Sequence, residues 1–314
     1  MSPRFWFAAV VAAGPLVFSA ARADDPKFEY GNYADVKGVT KPEWFAAAEA
    51  GLVVTTGTTD STTATGGFKV SRKEGFDKFA LEASGTYAKT GTLVLNDLNG
   101  NGMIDNTDEL VERDQITAET LAAKARYDRF LTTDNSLFIA ALAGRDLPAG
   151  RDATYGGQAG YSRQLYKSKT STTTGELGYD YTREDLTVGP GVSVHSIRAF
   201  LGHKAQLLAG ATLDASLEAL TNLNHETLPT GQDGSAFNDT RVNLRIAISA
   251  KVSSTIAFTT SLESHFDNRP GPLTLPAGSA PFAPGFVPPA AEVETIMKVS
   301  LIYTFLGTSA APKK

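Results

Sequence analysis

The chain has 314 residues, no cysteine and a formal net charge of −5, from 34 acidic against 29 basic residues. Without thiols, disulfide bracing and thiolate metal sites are excluded. The acidic balance speaks against nucleic acid as a partner.

The N-terminus, MSPRFWFAAVVAAGPLVFSAARA, carries Arg4, an apolar run from Phe5 and the small-x-small triplet Ala21-Arg22-Ala23. This is the layout of a secretory signal peptide over residues 1–23. A single membrane anchor is the alternative, disfavoured by the shortness of the run and by Gly14 and Pro15 within it. Removing the signal takes away Arg4 and Arg22 and no acid, which moves the formal charge from −5 to −7. Residues 24–42 then read as a periplasmic N-terminal segment and 307–314 as a C-terminal tail. Beyond the signal no stretch reaches the roughly 18 apolar residues that a spanning helix needs. The chain is therefore either soluble or crosses a membrane as strands.

From Trp44 onward the dominant signal is period two, which sends alternate side chains to opposite faces of a strand. Twelve such segments follow, at 43–57, 61–72, 77–90, 116–130, 135–147, 153–165, 170–183, 192–204, 209–225, 238–250, 255–267 and 292–305. In KFALEASGTY, Phe79, Leu81, Ala83 and Tyr87 oppose Lys78, Glu82, Ser84 and Thr86. In ATLDASLEAL, Leu213, Ala215 and Leu217 oppose Thr212, Asp214, Ser216 and Glu218. RVNLRIAISAK sets Val242, Leu244, Ile246, Ile248 and Ala250 against Arg241, Asn243, Arg245, Ser249 and Lys251. TIAFTTSLESHF sets Ile256, Phe258, Leu262 and Phe266 against Thr259, Ser261, Glu263 and His265. The last segment, MKVSLIYTF, alternates through Met297, Val299, Leu301 and Tyr303 to a terminal Phe305.

The connections alternate as well. With a periplasmic N-terminus, RKEGF, LTTDN, YKSK, KAQLLAG and KVSST become short turns on one side. REDLTVGPGV, HETLPTGQDGSAFN and NRPGPLTLPAGSAPFAPGFVPPA become long loops on the other. Short periplasmic turns, longer outer loops and an even strand number are the pattern of an outer-membrane barrel. Hydrocarbon satisfies no backbone polar group, so such strands persist there only if the sheet closes on itself. The expectation is an all-β, transmembrane antiparallel up-and-down β-barrel of twelve strands over residues 43–306, located in the cell outer membrane. A soluble β-sandwich or solenoid also alternates, but its strands usually run to only about five or six residues.

Four stretches, AEAGLVVTTGTTDSTT, KVSRKEGFDKFALEASGTYAKT, ARYDRFLTTDNSLFIAALAGRD and VSLIYTF, together resemble the domain of unknown function 481 family, described as salt-induced outer-membrane proteins. The resemblance spans nearly all of Trp44 to Phe305. It implies an outer-membrane β-barrel and brings no established activity. This chain departs from the family at the first hairpin, where Gly-Thr-Thr-Asp stands for the more usual Gly-Asn-Thr-Asp, and in a long insert around Asp97.

That insert, NDLNGNGMIDNTDEL, has calcium-loop spacing over residues 96–109. Counting from Asp97, the side chains of Asp97, Asn99, Asn101, Asp105 and Asp108 fall at positions 1, 3, 5, 9 and 12, with the Met103 carbonyl at 7. Six to eight oxygens about 2.4 Å from the ion are what Ca2+ requires, and Gly102 at position 6 permits the sharp turn. An aspartate at position 12 resembles the loop of dockerin modules. The alternative is an acidic hairpin tip whose Asn-Gly pairs only favour turning. Bound Ca2+ would neutralise the carboxylates and stiffen an extracellular loop.

The polar faces place Lys78, Glu82, Lys124, Arg126, Asp128, Glu176, Asp180, Arg198, Asp214, Glu218, Arg241, Arg245, Lys251, Glu263 and Lys298 in the lumen. They either line a charge-guided pore or pair with one another and plug it. Trp44, Phe79, Tyr87, Tyr127, Phe130, Tyr181, Phe258, Phe266, Tyr303 and Phe305 are assigned outward as aromatic girdles at headgroup level. His195, His203, His225 and His265 lie on separate strands or strand ends with no catalytic signature around them. The sequence thus reads as a non-enzymatic, porin-like barrel acting as a passive or weakly selective channel, with outer-membrane lipid, small solutes and calcium as partners. A closed structural or adhesive envelope barrel and an outer-membrane hydrolase are the competing readings.

Overall fold

The computed structural model describes residues 42–55, 60–95, 110–147, 149–208, 210–231, 233–273 and 286–306. The signal segment, the N-terminal segment up to residue 41, the insert at 96–109 and the tail after 306 lie outside the described residues.

Fourteen strands follow in chain order: β1 (Glu43–Thr55), β2 (Asp60–Glu74), β3 (Asp77–Leu95), β4 (Leu110–Phe130), β5 (Asn135–Asp146), β6 (Arg151–Lys167), β7 (Ser171–Leu186), β8 (Val192–Leu208), β9 (Ala211–Asn222), β10 (Glu226–Thr227), β11 (Asp233–Gly234), β12 (Thr240–Lys251), β13 (Ile256–Asp267) and β14 (Val293–Leu306). Twelve of them form one closed antiparallel barrel, each beside its sequence neighbours, with β9 beside β12 and β1 closing against β14. β10 and β11 make a separate two-stranded ribbon inside the β9–β12 loop, which period two did not reveal because each is only two residues long. No helix occurs among the described residues.

The barrel strands contain 12 to 21 residues, where about 9–11 cross a hydrocarbon core. The surplus is greatest in β3 and β4, whose ladder continues to Leu95↔Leu110 while the β4–β5 ladder stops at Thr120↔Asp146. Their hairpin thus runs ten residues beyond β5, about 33 Å along the strand. The calcium-like insert connects its two ends.

Turn chemistry separates the two ends of the barrel. β2 and β3 join through Gly75 and Phe76 alone, with Gly75 at φ 57° supplying the left-handed position that a two-residue hairpin turn of this kind requires. Residues 131–134, 168–170 and 252–255, with Gly210 before β9, complete the short-turn end. Every long connection lies at the other end.

Period two governs the faces. On β12, Leu244, Ile246 and Ile248 are exposed on the outer surface, while Ala247 and Ser249 are buried inside. Trp44, Phe79, Tyr87, Tyr127, Tyr181, Phe258, Phe266, Tyr303 and Phe305 all point outward. Phe130 does not: it is 3% exposed and faces the lumen, correcting the girdle assignment. Its parity is that of Arg126 and Asp128, and no bulge interrupts β4 between them, so the pleat carries Phe130 to the same side.

Candidate functional site

The lumen gathers inward side chains from all twelve barrel strands. Around the half nearest the short turns, inward positions are buried on all sides: Ala47, Ser71, Lys78, Asp128, Phe138, Ser162, Thr174, Phe200, Asp214, Ser249, Thr259 and Ser300. Hydroxyls fill much of this floor, as in the Ser249 to Thr259 hydrogen bond of 2.8 Å.

Above it lies an ion-pair network. Arg126 on β4 binds Asp128 on its own strand (2.6 Å) and Glu176 on β7 (2.7 Å). Arg198 on β8 holds the second oxygen of Glu176 at 2.8 Å and reaches Glu218 on β9 at 2.5 Å. Asn243 on β12 donates to Glu218 at 3.1 Å, so the chain of contacts runs from β4 to β12. The Glu176 side chain is 0% exposed and that of Arg198 1%. Burying ions is costly unless geometry and further hydrogen bonds compensate, and here each carboxylate has two or more donors.

The local sequence permits this reach. Arg126 must pass β5 and β6 to touch β7, and Ala140 and Gly160 stand at the inward positions it crosses. Phe138 lies over Gly160, where a Cβ would come within 2.8 Å of its ring. The guanidinium carbons of Arg126 and Arg198 sit 4.1 and 5.7 Å from the centre of that ring, adding cation–π attraction to the salt bridges.

Further up, the lumen widens into a cavity of about 600 Å³. Lys69–Glu82 (2.7 Å) and Lys298–Glu263 (2.6 Å) line the wall on either side of β1, and Arg245 contacts Asp214 and Glu263 at 3.4 and 3.3 Å. Lys124 donates to Gln158 at 3.2 Å, and Gln158 donates to Asp180 at 2.8 Å. Glu294, Asp146 and His265 stand where the cavity approaches the long loops.

The mouth itself is strapped. Arg151 at the start of β6 bonds Asp267 at the end of β13, although four strands separate them round the ring. Glu184 on β7 accepts from Arg241 of β12 and forms an ion pair with Arg151 at 3.3 Å, and Arg241 lies 3.3 Å from Asp267. The backbone meets here too: a Cβ on Gly150 would lie 2.1 Å from the Pro272 carbonyl oxygen. On one side of the strap Leu186, Val192, Val194 and Leu228 pack as a small apolar cluster under the β9–β12 loop. The cavity occupies the other side.

All fifteen side chains assigned to the lumen from sequence face it, and the structure links most of them by ion pairs. The calcium-like residues Asp97, Asn99, Asn101, Met103, Asp105 and Asp108 lie outside the described residues. The histidines stay apart: His195 sits on the outer face against Tyr181 (5.0 Å between rings), His203 hydrogen-bonds Thr173 (2.9 Å) and His265 hydrogen-bonds Asn243 (2.9 Å). Sequence reasoning missed Phe138, Arg151, Asp146, Glu184, Asp267 and Glu294. Parity alone would have found Phe138, which shares its face with Ser136 and Ala140. The strap carried no local signal.

A closed antiparallel barrel with an apolar exterior and a charged, hydrogen-bonded interior is a β-barrel of the outer-membrane type. The chain belongs to the family described as "Protein of unknown function, DUF481", which it matches over residues 48–273. Among solved structures it is similar to the NanC porin, with a TM-score of 0.42 and 10% identity over 82% of this chain and 98% of that one. It is also similar to OmpT, an outer-membrane protein of Vibrio cholerae (TM-score 0.36, 8% identity, 84% and 97% covered). The anion-selective porin from Comamonas acidovorans scores 0.35 at 10% identity, with 84% and 100% covered. At these identities the likeness concerns the fold. No curated protein sequence matches the chain.

Proposed function

We propose that the protein is an outer-membrane barrel whose lumen is closed to steady ion flow at its periplasmic half, presenting a charged cavity toward the long outer loops. The observation that carries this reading is Glu176, fully buried and clamped between Arg126 and Arg198 in the ring of buried inward side chains. Filling of that kind serves a structural or solute-accepting envelope barrel better than an open conduit. The exterior aromatics would sit at headgroup level and lipid would cover Leu244, Ile246 and Ile248. Purified, folded protein in a planar lipid bilayer is expected to show no steady conductance. Regular single-channel steps from wild type would overturn the closed reading in favour of a channel.

The second part of the proposal concerns the insert at the tip of the β3–β4 hairpin. With Asp97, Asn99, Asn101, Asp105 and Asp108 as side-chain ligands and the Met103 carbonyl between them, it would bind Ca2+. Outer-face calcium is abundant, so affinity in the 10⁻⁴–10⁻³ M range typical of extracellular modules suffices. Calorimetric titration of Ca2+ should give a saturable heat with wild type that Asp97→Ala removes. Equal heats from the two proteins would refute the site.

A further inference from the structure

Most charges in the lumen have an opposite charge in contact with them. Among the described residues Lys124 and, at the mouth, Glu294 and Asp146 have none, and Asp180 is held by the neutral Gln158 and Thr182. Lys124, deep on the cavity wall, makes a single hydrogen bond among the described residues, to the neutral Gln158 amide oxygen at 3.2 Å. The carboxylates that act on it at longer range are Glu82, its neighbour across the β3–β4 ladder, and Glu176 and Glu218, and these are engaged by Lys69, Arg126 and Arg198. At the cavity mouth Glu294 makes no hydrogen bond or ion pair among the described residues. Among the described residues Asp146 accepts only the Ala149 amide, at 3.2 Å. Arg151 and Lys298, the cations that act on Glu294 from a distance, are committed to Asp267 and to Glu263. Glu294 on β14 and Asp146 on β5 face each other across the cavity and act on each other electrostatically, so the mouth carries two carboxylates with no cation in contact among the described residues, while Lys124 stands at the interior end.

We infer that this cavity binds a small zwitterion, its ammonium end held by Glu294 and Asp146 and its carboxylate by Lys124. Charges in a partly enclosed space are costly unless a counter-charge meets them. One dipolar ligand meets both ends at once. A single cation or anion meets one and leaves the other. The spacing limits the ligand further: Lys124 pairs with Leu142 in the β4–β5 ladder, and Asp146 lies four residues beyond Leu142, about 13 Å along the strand. The lysine side chain spans part of that distance and leaves roughly 6–10 Å between the opposite charges, the length of two or three extended peptide units. The volume of about 600 Å³ is in the range of small-molecule sites, and Ile296, Ile302 and Leu142 supply apolar wall between the poles. The inference rests on the reading of the cavity as reachable from the long-loop side, and it names the solute class: a short zwitterionic peptide or a similar ω-amino acid.

The test is calorimetric titration of the folded full chain in detergent with triglycine, N-acetyltriglycine and triglycine amide. Triglycine is expected to bind saturably, and each capped form at least tenfold more weakly. Lys124→Met should erase the distinction between triglycine and its amide. Glu294→Gln combined with Asp146→Asn should erase that between triglycine and the acetylated form. No saturable triglycine binding, or equal binding of all three peptides to wild type, would overturn the inference. Its fate is separable from closure of the lumen: triglycine that binds saturably to a protein giving steady bilayer conductance would sustain the site and refute the closed barrel.

Discussion

Replacing Glu176 with alanine lowers the unfolding free energy of the lipid-refolded barrel by about 3–5 kcal/mol, the usual cost of removing one member of a buried ion pair. Both guanidiniums that clamp Glu176 remain, Arg198 1% exposed and Arg126 9%, and each loses its contact with that carboxylate while keeping those with Glu218 and Asp128. An ion pair of similar length at the rim provides the contrast. Arg129 and Asp77 lie 2.7 Å apart, but their side chains are 52% and 39% exposed. Solvent screening leaves such an exposed pair with little effect on stability, so Asp77→Ala should barely move the denaturation midpoint. Urea titrations of the two variants in lipid vesicles check the comparison. Equal and small losses for both would mean that the luminal network does not hold the barrel together.

Ile246→Arg is expected to cost about 2–4 kcal/mol, the penalty for a guanidinium on the lipid face near the bilayer midplane. Ile246 is near the middle of β12, 38% exposed on the outer surface, with Ala215 and Leu262 as its ladder partners. The same substitution at Val252, which is exposed in the short turn after β12, should cost only about 0–1 kcal/mol, because the charge sits near headgroups and water. Folding yields in lipid vesicles, read by the shift in gel mobility between folded and unfolded barrels, provide the measurement. Wild-type yield from Ile246→Arg, together with solubility without detergent, would sink the lipid-embedded reading.

The strands and their sidedness were legible in the residues because both are local properties. Twelve alternating segments predicted twelve barrel strands, with ends displaced by a few residues: β4 starts at Leu110 where alternation was counted from 116, and β9 stops at Asn222 where it was counted to 225. The displacements fall at bulges and loop bases, such as the register shift at Ala88/Lys89, where a pleat counted from sequence loses its phase. The one outward aromatic that turned inward, Phe130, was an error of counting rather than of physics.

What the amino-acid sequence by itself determined is an amphipathic, disulfide-free ribbon with turn lengths that alternate short and long. That is enough to specify closure, since each strand carries its own instruction for which side faces out. Whether the enclosed space is open or filled was decided only in three dimensions. Glu176 lies 50 residues from Arg126, and Asp267 lies 116 from Arg151. Those contacts exist because the ring brings β4 near β7 and β6 near β13, and because Ala140 and Gly160 leave room for a guanidinium to cross. Alternation places a charge inside but does not choose its partner: that choice depends on barrel circumference, strand stagger and side-chain reach, which are properties of the closed sheet as a whole.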